Sequence, residues 1–204
     1  MLWGLLEELL GHACPGCGGR LDVLLLCASC RAELRAFARG ETVYLGPYGR
    51  WGGVVRALKY GRRFGLAPLL ARPLAEGVLA QGWALGGVAA VPTLLPRLLL
   101  RGYNPPELLA REVARLLGLP YRRVLRRVRY APGQPLRGRG RGRLPGDLFA
   151  PLGRVEGAWL LVDDVLTSGA TFLRAKEALL RAGASRVHGA FIAVKDPGAL
   201  GPYR

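Results

Sequence analysis

Two adjacent acids, Asp163 and Asp164, stand just before Thr167, Ser168, Gly169 and Thr171, and these are the residues of the sequence best suited to chemistry. Carboxylates accept hydrogen bonds from hydroxyl groups and hold hard cations such as Mg²⁺. Backbone N–H groups at the start of a helix carry partial positive charge and bind anions. The hydroxyls of Thr167, Ser168 and Thr171 add donors, Gly169 lets the backbone approach a ligand closely, and Val165, Leu166 and Ala170 complete the turn. A phosphate alone would be poorly served by two neighbouring carboxylates. A ribose phosphate accompanied by Mg²⁺ meets both demands, its hydroxyls and metal facing the acids and its phosphate facing the turn.

The elements around this stretch are those needed to position it. Ala158 to Val162 is a short continuous apolar run, as expected of a strand buried on both faces of a parallel sheet. After the turn, Thr171, Ala175, Ala178, Leu179 and Ala182 recur at helical spacing, and Gly183 stands where a C-cap glycine would. Gly189 to Val194 closes a strand–turn–helix–strand unit. The stretch resembles the phosphoribosyl pyrophosphate (PRPP) motif of type I phosphoribosyltransferases: four apolar residues, two acids, then a small Thr/Ser/Gly loop. The resemblance implies that Asp163 and Asp164 are catalytic and that residues 165–171 bind phosphate. The plainer alternative is an acidic strand end followed by a capped helix.

A second set of residues suits a metal. Cys14-Pro-Gly-Cys17 and Cys27-Ala-Ser-Cys30 are two C-x-x-C pairs, able to present four thiolates to one tetrahedral zinc ion. Disulfides are the rival, disfavoured where thiols stay reduced. A metal staple would fold so small a segment without a core of its own. His12 stands beside Cys14, but four cysteines already fill the shell.

With 204 residues, half of them apolar, the chain suits one α/β domain with a small appendage. We expect an N-terminal amphipathic helix and four-cysteine zinc knuckle over residues 1–40 and the α/β domain over 41–204. No run approaches the ~20 apolar residues of a membrane span. The N-terminus lacks a basic-then-apolar leader, so a cytoplasmic location is expected. The formal charge is +16, and between Arg97 and Arg143 thirteen arginines stand against two acids, Glu107 and Glu112. Arginine's forked donors suit phosphate recognition, and the excess favours a polyanionic partner, either nucleic acid or a pyrophosphate-bearing substrate. The competing reading is a solvated basic face in a chain that prefers arginine to lysine throughout.

Along the chain the pattern predicts a strand at Thr42–Leu45, a helix ending in Leu58-Lys59-Tyr60, and a helix over Leu66–Leu79 broken at Pro73. A buried strand follows at Gly87–Val91, then a basic loop from Thr93 to Arg101. Asn104 caps a helix whose buried face is Leu109, Val113, Leu116 and Leu117 and which Gly118 stops. Pro120 opens a strand over Tyr121–Leu125. The segment 126–151 lacks periodicity and reads as a lid over pyrophosphate, a strip tracking a phosphate backbone, or a plain surface loop. Lys59, Arg97, Arg101, Arg129, Arg137, Arg139, Arg141 and Arg143 are the candidate pyrophosphate or DNA ligands. Trp51, Tyr103 and Tyr121 could stack on bases, though core packing is the commoner use of such rings.

The succession of a four-cysteine knuckle, Leu58-Lys59-Tyr60, Val91-Pro92, Arg101-Gly102-Tyr103-Asn104 and the PRPP motif is similar to that of the ComF (ComFC) family of phosphoribosyltransferase-like competence proteins, over nearly the whole chain. This chain has Tyr103 and Pro105 where the family reads Phe and Gln, and Leu144 where it has an asparagine. The resemblance implies a type I phosphoribosyltransferase fold with an N-terminal zinc finger, a role in natural transformation, and partnership with single-stranded DNA and the DNA-uptake helicase. It also assigns Cys14, Cys17, Cys27 and Cys30 as structural zinc ligands, with Mg²⁺ entering alongside PRPP. Two further functions stay open: a working phosphoribosyltransferase of nucleotide salvage, and a PRPP-sensing RNA-binding regulator.

Overall fold

The computed structural model describes residues 13–128 and 148–195. The N-terminal stub with His12, and Arg129, Arg137, Arg139, Arg141 and Arg143, lie outside the described residues.

Four strands run parallel: β2 (Thr42–Tyr44), β3 (Leu85–Ala90), β6 (Ala158–Leu166) and β7 (Arg186–Val194), with β1 (Phe37–Arg39) antiparallel at one edge, in the order β1-β2-β7-β6-β3. The two long inner strands are β6 and β7, and Leu161 pairs with Gly189 in their ladder. Because successive side chains alternate across a strand, Leu160 and Val162 enter one apolar layer and Trp159 and Leu161 the other. That is why the run reads as continuously hydrophobic.

Helices cover both faces. The first layer packs Leu160, Val162 and Ile192 against α2 (Tyr48–Tyr60), α3 (Leu66–Leu79) and α5 (Pro105–Leu117). The second packs Leu161, Val187 and Phe191 against α6 (Ala170–Arg181) through Phe172, Ala175, Ala178 and Leu179. The short helix α1 (Ala28–Ala32) carries Cys30, and Cys14, Leu26, Cys27 and Cys30 join the first layer beside Val54 and Leu58. The chain is thus a mixed α/β fold: a mostly parallel sheet flanked by helices, with four clustered N-terminal cysteines.

Several local expectations are corrected. Pro73 does not break its helix: α3 runs unbroken through it. A mid-helix proline costs about 3 kcal/mol, but Leu66, Leu70 and Leu74 are fully buried around it, each contributing about 1.5–3 kcal/mol. Residues 95–101 form a helix, α4 (Leu95–Arg101), rather than a loop. Pro96 lies in its first turn, where no N–H is needed, and Gly102 ends it at φ +77°. Tyr121 makes only an isolated bridge to Val88. The strand forms later, as β4 (Leu125–Arg127), and pairs with β5 (Phe149–Pro151) in a separate antiparallel ribbon. This ribbon brackets the arginine-rich segment.

Candidate functional site

The strand β6 extends four residues beyond its apolar run, so Asp163 and Asp164 are strand residues. The turn Thr167-Ser168-Gly169 follows at the carboxyl edge of the sheet. In open α/β sheets ligands bind there, beyond the strand ends. Gly169 stands at φ +78°, a left-handed conformation that side chains resist, and it swings the chain into α6. The first helical bond runs from the Leu173 N–H to the Gly169 carbonyl at 2.8 Å. The N–H groups of Ala170 and Thr171 therefore fall outside the helical ladder. Among the described residues no side chain caps α6, and Thr167 and Ser168 are exposed.

The two acids behave differently. Neighbours on a strand point to opposite faces, and Asp164 turns toward the layer that contains α2. There the Lys59 ammonium, at the end of that helix, meets Asp164 Oδ1 at 2.7 Å. Asp164 is 6% exposed, so this strand-end carboxylate is buried. The cause is the packing of α2 across the strand end, which no local pattern in residues 158–171 reveals. Tyr103 steadies the partner: its hydroxyl lies 2.8 Å from the Leu58 carbonyl and 2.9 Å from that of Lys59.

Asp163 is half-buried and accepts a hydrogen bond from the Asp164 N–H at 2.8 Å. Burial, reinforced by the charge of Asp164, pushes its carboxyl up to about 8, against the opposing pull of Lys59 and Arg127. A carboxyl held this high is one that a cation or a set of hydroxyl donors would ionise. Arg127 is not among the sequence-based candidates, although it lies in the same arginine-rich stretch as Arg129. Its position beside the site comes from the β4–β5 ribbon.

A cleft of about 570 Å³ opens between the end of β3, the α4–α5 junction and β4, lined by Pro92, Thr93, Tyr103, Asn104 and Arg127 among others but by neither acid. Asn104 precedes α5 as expected, but its side chain does not cap the helix. Its Oδ1 is buried there without a hydrogen-bond partner among the described residues. Of the other cationic candidates, Arg101 lies 4.5 Å over the ring of Tyr60. Only the backbone of Arg97, in α4, is described. Trp51 is buried and donates to the Leu45 carbonyl, and Tyr121 lies under Arg111.

The four cysteines converge. All are free thiols, and their sulfurs lie within 4.8 Å of one another. Cys17 Sγ and Cys27 Sγ are 3.7 Å apart, close to the ~3.8 Å tetrahedron edge implied by Zn–S bonds of ~2.3 Å. Arg50 joins this cluster to the sheet domain. Its guanidinium meets Cys30 Sγ at 3.0 Å, the Gly16 carbonyl at 2.6 Å and Glu33 at 2.8 Å, and lies 4.3 Å over Trp51. Burial pushes the Cys30 thiol up to about 12 despite that hydrogen bond. A bound cation would reverse this preference.

No family model matches the chain. It is 32% identical over 185 residues to the DNA utilization protein YhgH of Salmonella typhimurium, an alignment covering 85% of this chain and 80% of that one. The DNA utilization protein YhgH of Salmonella typhi is 34% identical over 142 residues, or 66% of this chain and 63% of the relative. Among solved structures, the allosteric regulatory enzyme of purine biosynthesis aligns with 59% of this chain and 25% of its own, at 26% identity and a TM-score of 0.36. That likeness is too slight to argue from. The coverage and identity of the first of these relatives suffice for one conclusion: the chain belongs to the family of the DNA utilization protein YhgH.

Proposed function

We propose that this is a ComF-type, phosphoribosyltransferase-like protein of DNA uptake, which binds PRPP or a related ribose phosphate at the carboxyl end of β6. The observation that carries the proposal is the convergence on one strand end of three things. These are a half-buried carboxyl, a lysine-locked second carboxylate, and a hydroxyl-bearing turn into an uncapped helix. The turn would take the 5′-phosphate through the Ala170 and Thr171 N–H groups and the hydroxyls of Thr167 and Ser168. Asp163 would face the ribose hydroxyls and the Mg²⁺ that accompanies a pyrophosphate. Bound there, the metal would supply charge to stabilise departing pyrophosphate. Lys59 already neutralises Asp164, so Asp164 serves to fix the strand end, and the ligand-facing role falls to Asp163.

The YhgH relationship supports an action on DNA, and the net charge of +16 suits a polyanionic partner. Arg101 and the arginines of residues 129–143 supply the local excess. The cysteine cluster fits a structural zinc, held by Cys14, Cys17, Cys27 and Cys30 and backed by Arg50. Partnership with an uptake helicase and a cytoplasmic location complete the reading.

Calorimetric titration of PRPP with Mg²⁺, beside ribose 5-phosphate and inorganic phosphate, tests it. Tighter binding of PRPP than of either simpler ligand is expected. Equal or absent binding of all three would overturn the ribose-phosphate assignment.

A further inference from the structure

The corner where α2 ends carries aromatic surface that the ribose-phosphate site does not use. Tyr60 is 68% exposed and Phe64 46% exposed, although aromatic rings supply most when buried. Both are tied to the same support. Arg101 lies 4.5 Å over Tyr60, while Phe64 meets Tyr103 edge-on with centroids 4.7 Å apart. Tyr103 in turn reaches the Leu58 and Lys59 carbonyls. The loop between the rings, Gly61-Arg62-Arg63, contains two arginines and no acid. Arg62 holds the left-handed conformation at φ +51°, with its side chain exposed. The corner therefore presents two supported rings flanked by Arg62 and Arg101, next to the residue that locks Asp164, while Arg63 turns aside to the Ala13 carbonyl.

We infer that this corner is a stacking platform for a single-stranded nucleic acid, bases lying on Tyr60 and Phe64 while Arg62 and Arg101 face the phosphates. The inference rests on the proposal that the protein acts on DNA, and adds where a strand would lie. An unpaired strand is the occupant whose chemistry matches the surface: every base has a π-face, every linkage an anion, and stacking tolerates any sequence. A duplex buries its base faces and could use only the arginines.

The test is binding of a labelled oligothymidylate to the full chain, followed by fluorescence anisotropy across a salt series. Tyr60→Leu and Phe64→Leu should each weaken binding about tenfold with the salt slope unchanged. Tyr60→Phe and Phe64→Tyr should bind like the wild type. Arg62→Gln should reduce the magnitude of the slope by about one. Leucine variants that bind as tightly as wild type would overturn the platform while leaving DNA binding in place. A wild type that binds no oligonucleotide would overturn the action on DNA and the platform together. Leucine variants that lose self-association in sedimentation, with oligonucleotide affinity intact, would identify the corner as an interface between copies and also overturn it. The PRPP titration should be unaffected by either leucine variant, which keeps the ribose-phosphate reading independently testable.

Discussion

Lys59 Nζ stands 2.7 Å from Asp164 Oδ1, and this ion pair fastens the end of α2 to the strand that carries the candidate site. The carboxylate is almost fully buried and the lysine side chain about a quarter exposed. Breaking a pair of this kind leaves an uncompensated charge in poor solvent. Lys59→Met should therefore destabilise the fold by about 2–4 kcal/mol, and Asp164→Ala by a similar amount. The double variant Lys59→Met/Asp164→Leu should recover part of the loss. Denaturant unfolding of the cycle checks this: a coupling energy near zero would mean that the pair does not hold the strand end.

The raised carboxyl of Asp163 gives stability a predictable pH dependence. The folded chain holds this proton up to about pH 8, whereas the unfolded chain releases it near 3.9. Between those values the folded state binds more protons, so stability falls as pH rises through the window and levels off above it. Asp163→Asn removes this loss. Relative to wild type, the variant should gain stability steadily from pH 4 to 8, reaching on the order of 1–3 kcal/mol. Thermal unfolding at several pH values gives the comparison, and parallel curves would refute the assignment.

Ser168 and Gly169 separate binding from folding. Ser168 is exposed and caps nothing, so Ser168→Ala should leave stability within about 0.5 kcal/mol. Its loss of a hydrogen bond to a charged phosphate should weaken ribose 5-phosphate binding about tenfold. Gly169→Ala forces a side chain into the left-handed region and should cost about 1 kcal/mol of stability as well as affinity. Calorimetry and melting curves, measured together, distinguish the two outcomes.

The knuckle also leans on α2 at Gly53. A Cβ on Gly53 would collide with the Pro15 carbonyl oxygen. Gly53→Ala gains at most about 1 kcal/mol of helix propensity, too little to offset a collision with backbone. The variant should be less stable than wild type and release its metal to a chelator faster. Elemental analysis of reduced wild-type protein should find one zinc per chain. Absence of stoichiometric metal would remove the zinc proposal.

The candidate turn was legible in the sequence because its chemistry is local. Asp163, Asp164, Thr167, Ser168 and Gly169 are contiguous, and a strand, a left-handed glycine and a helix start follow from residues a few positions apart. The two C-x-x-C pairs were legible for the same reason. The helix at Leu95–Arg101 was not, because three consecutive leucines give no helical period and Pro96 reads as a breaker unless its place in the first turn is known.

Local geometry is thus written in the order of residues: which strand is buried on both faces, where its acids stand, and which turn can receive an anion. How the two acids differ is written only in the folded chain. Lys59 is more than a hundred positions from Asp164, and the sequence carries no register between a helix end and a strand end. The meeting is set by how α2 packs over the sheet. That packing neutralises Asp164 and leaves Asp163 to carry the raised carboxyl. Charge and burial act through distance in space, and distance in space is what the order of residues does not contain.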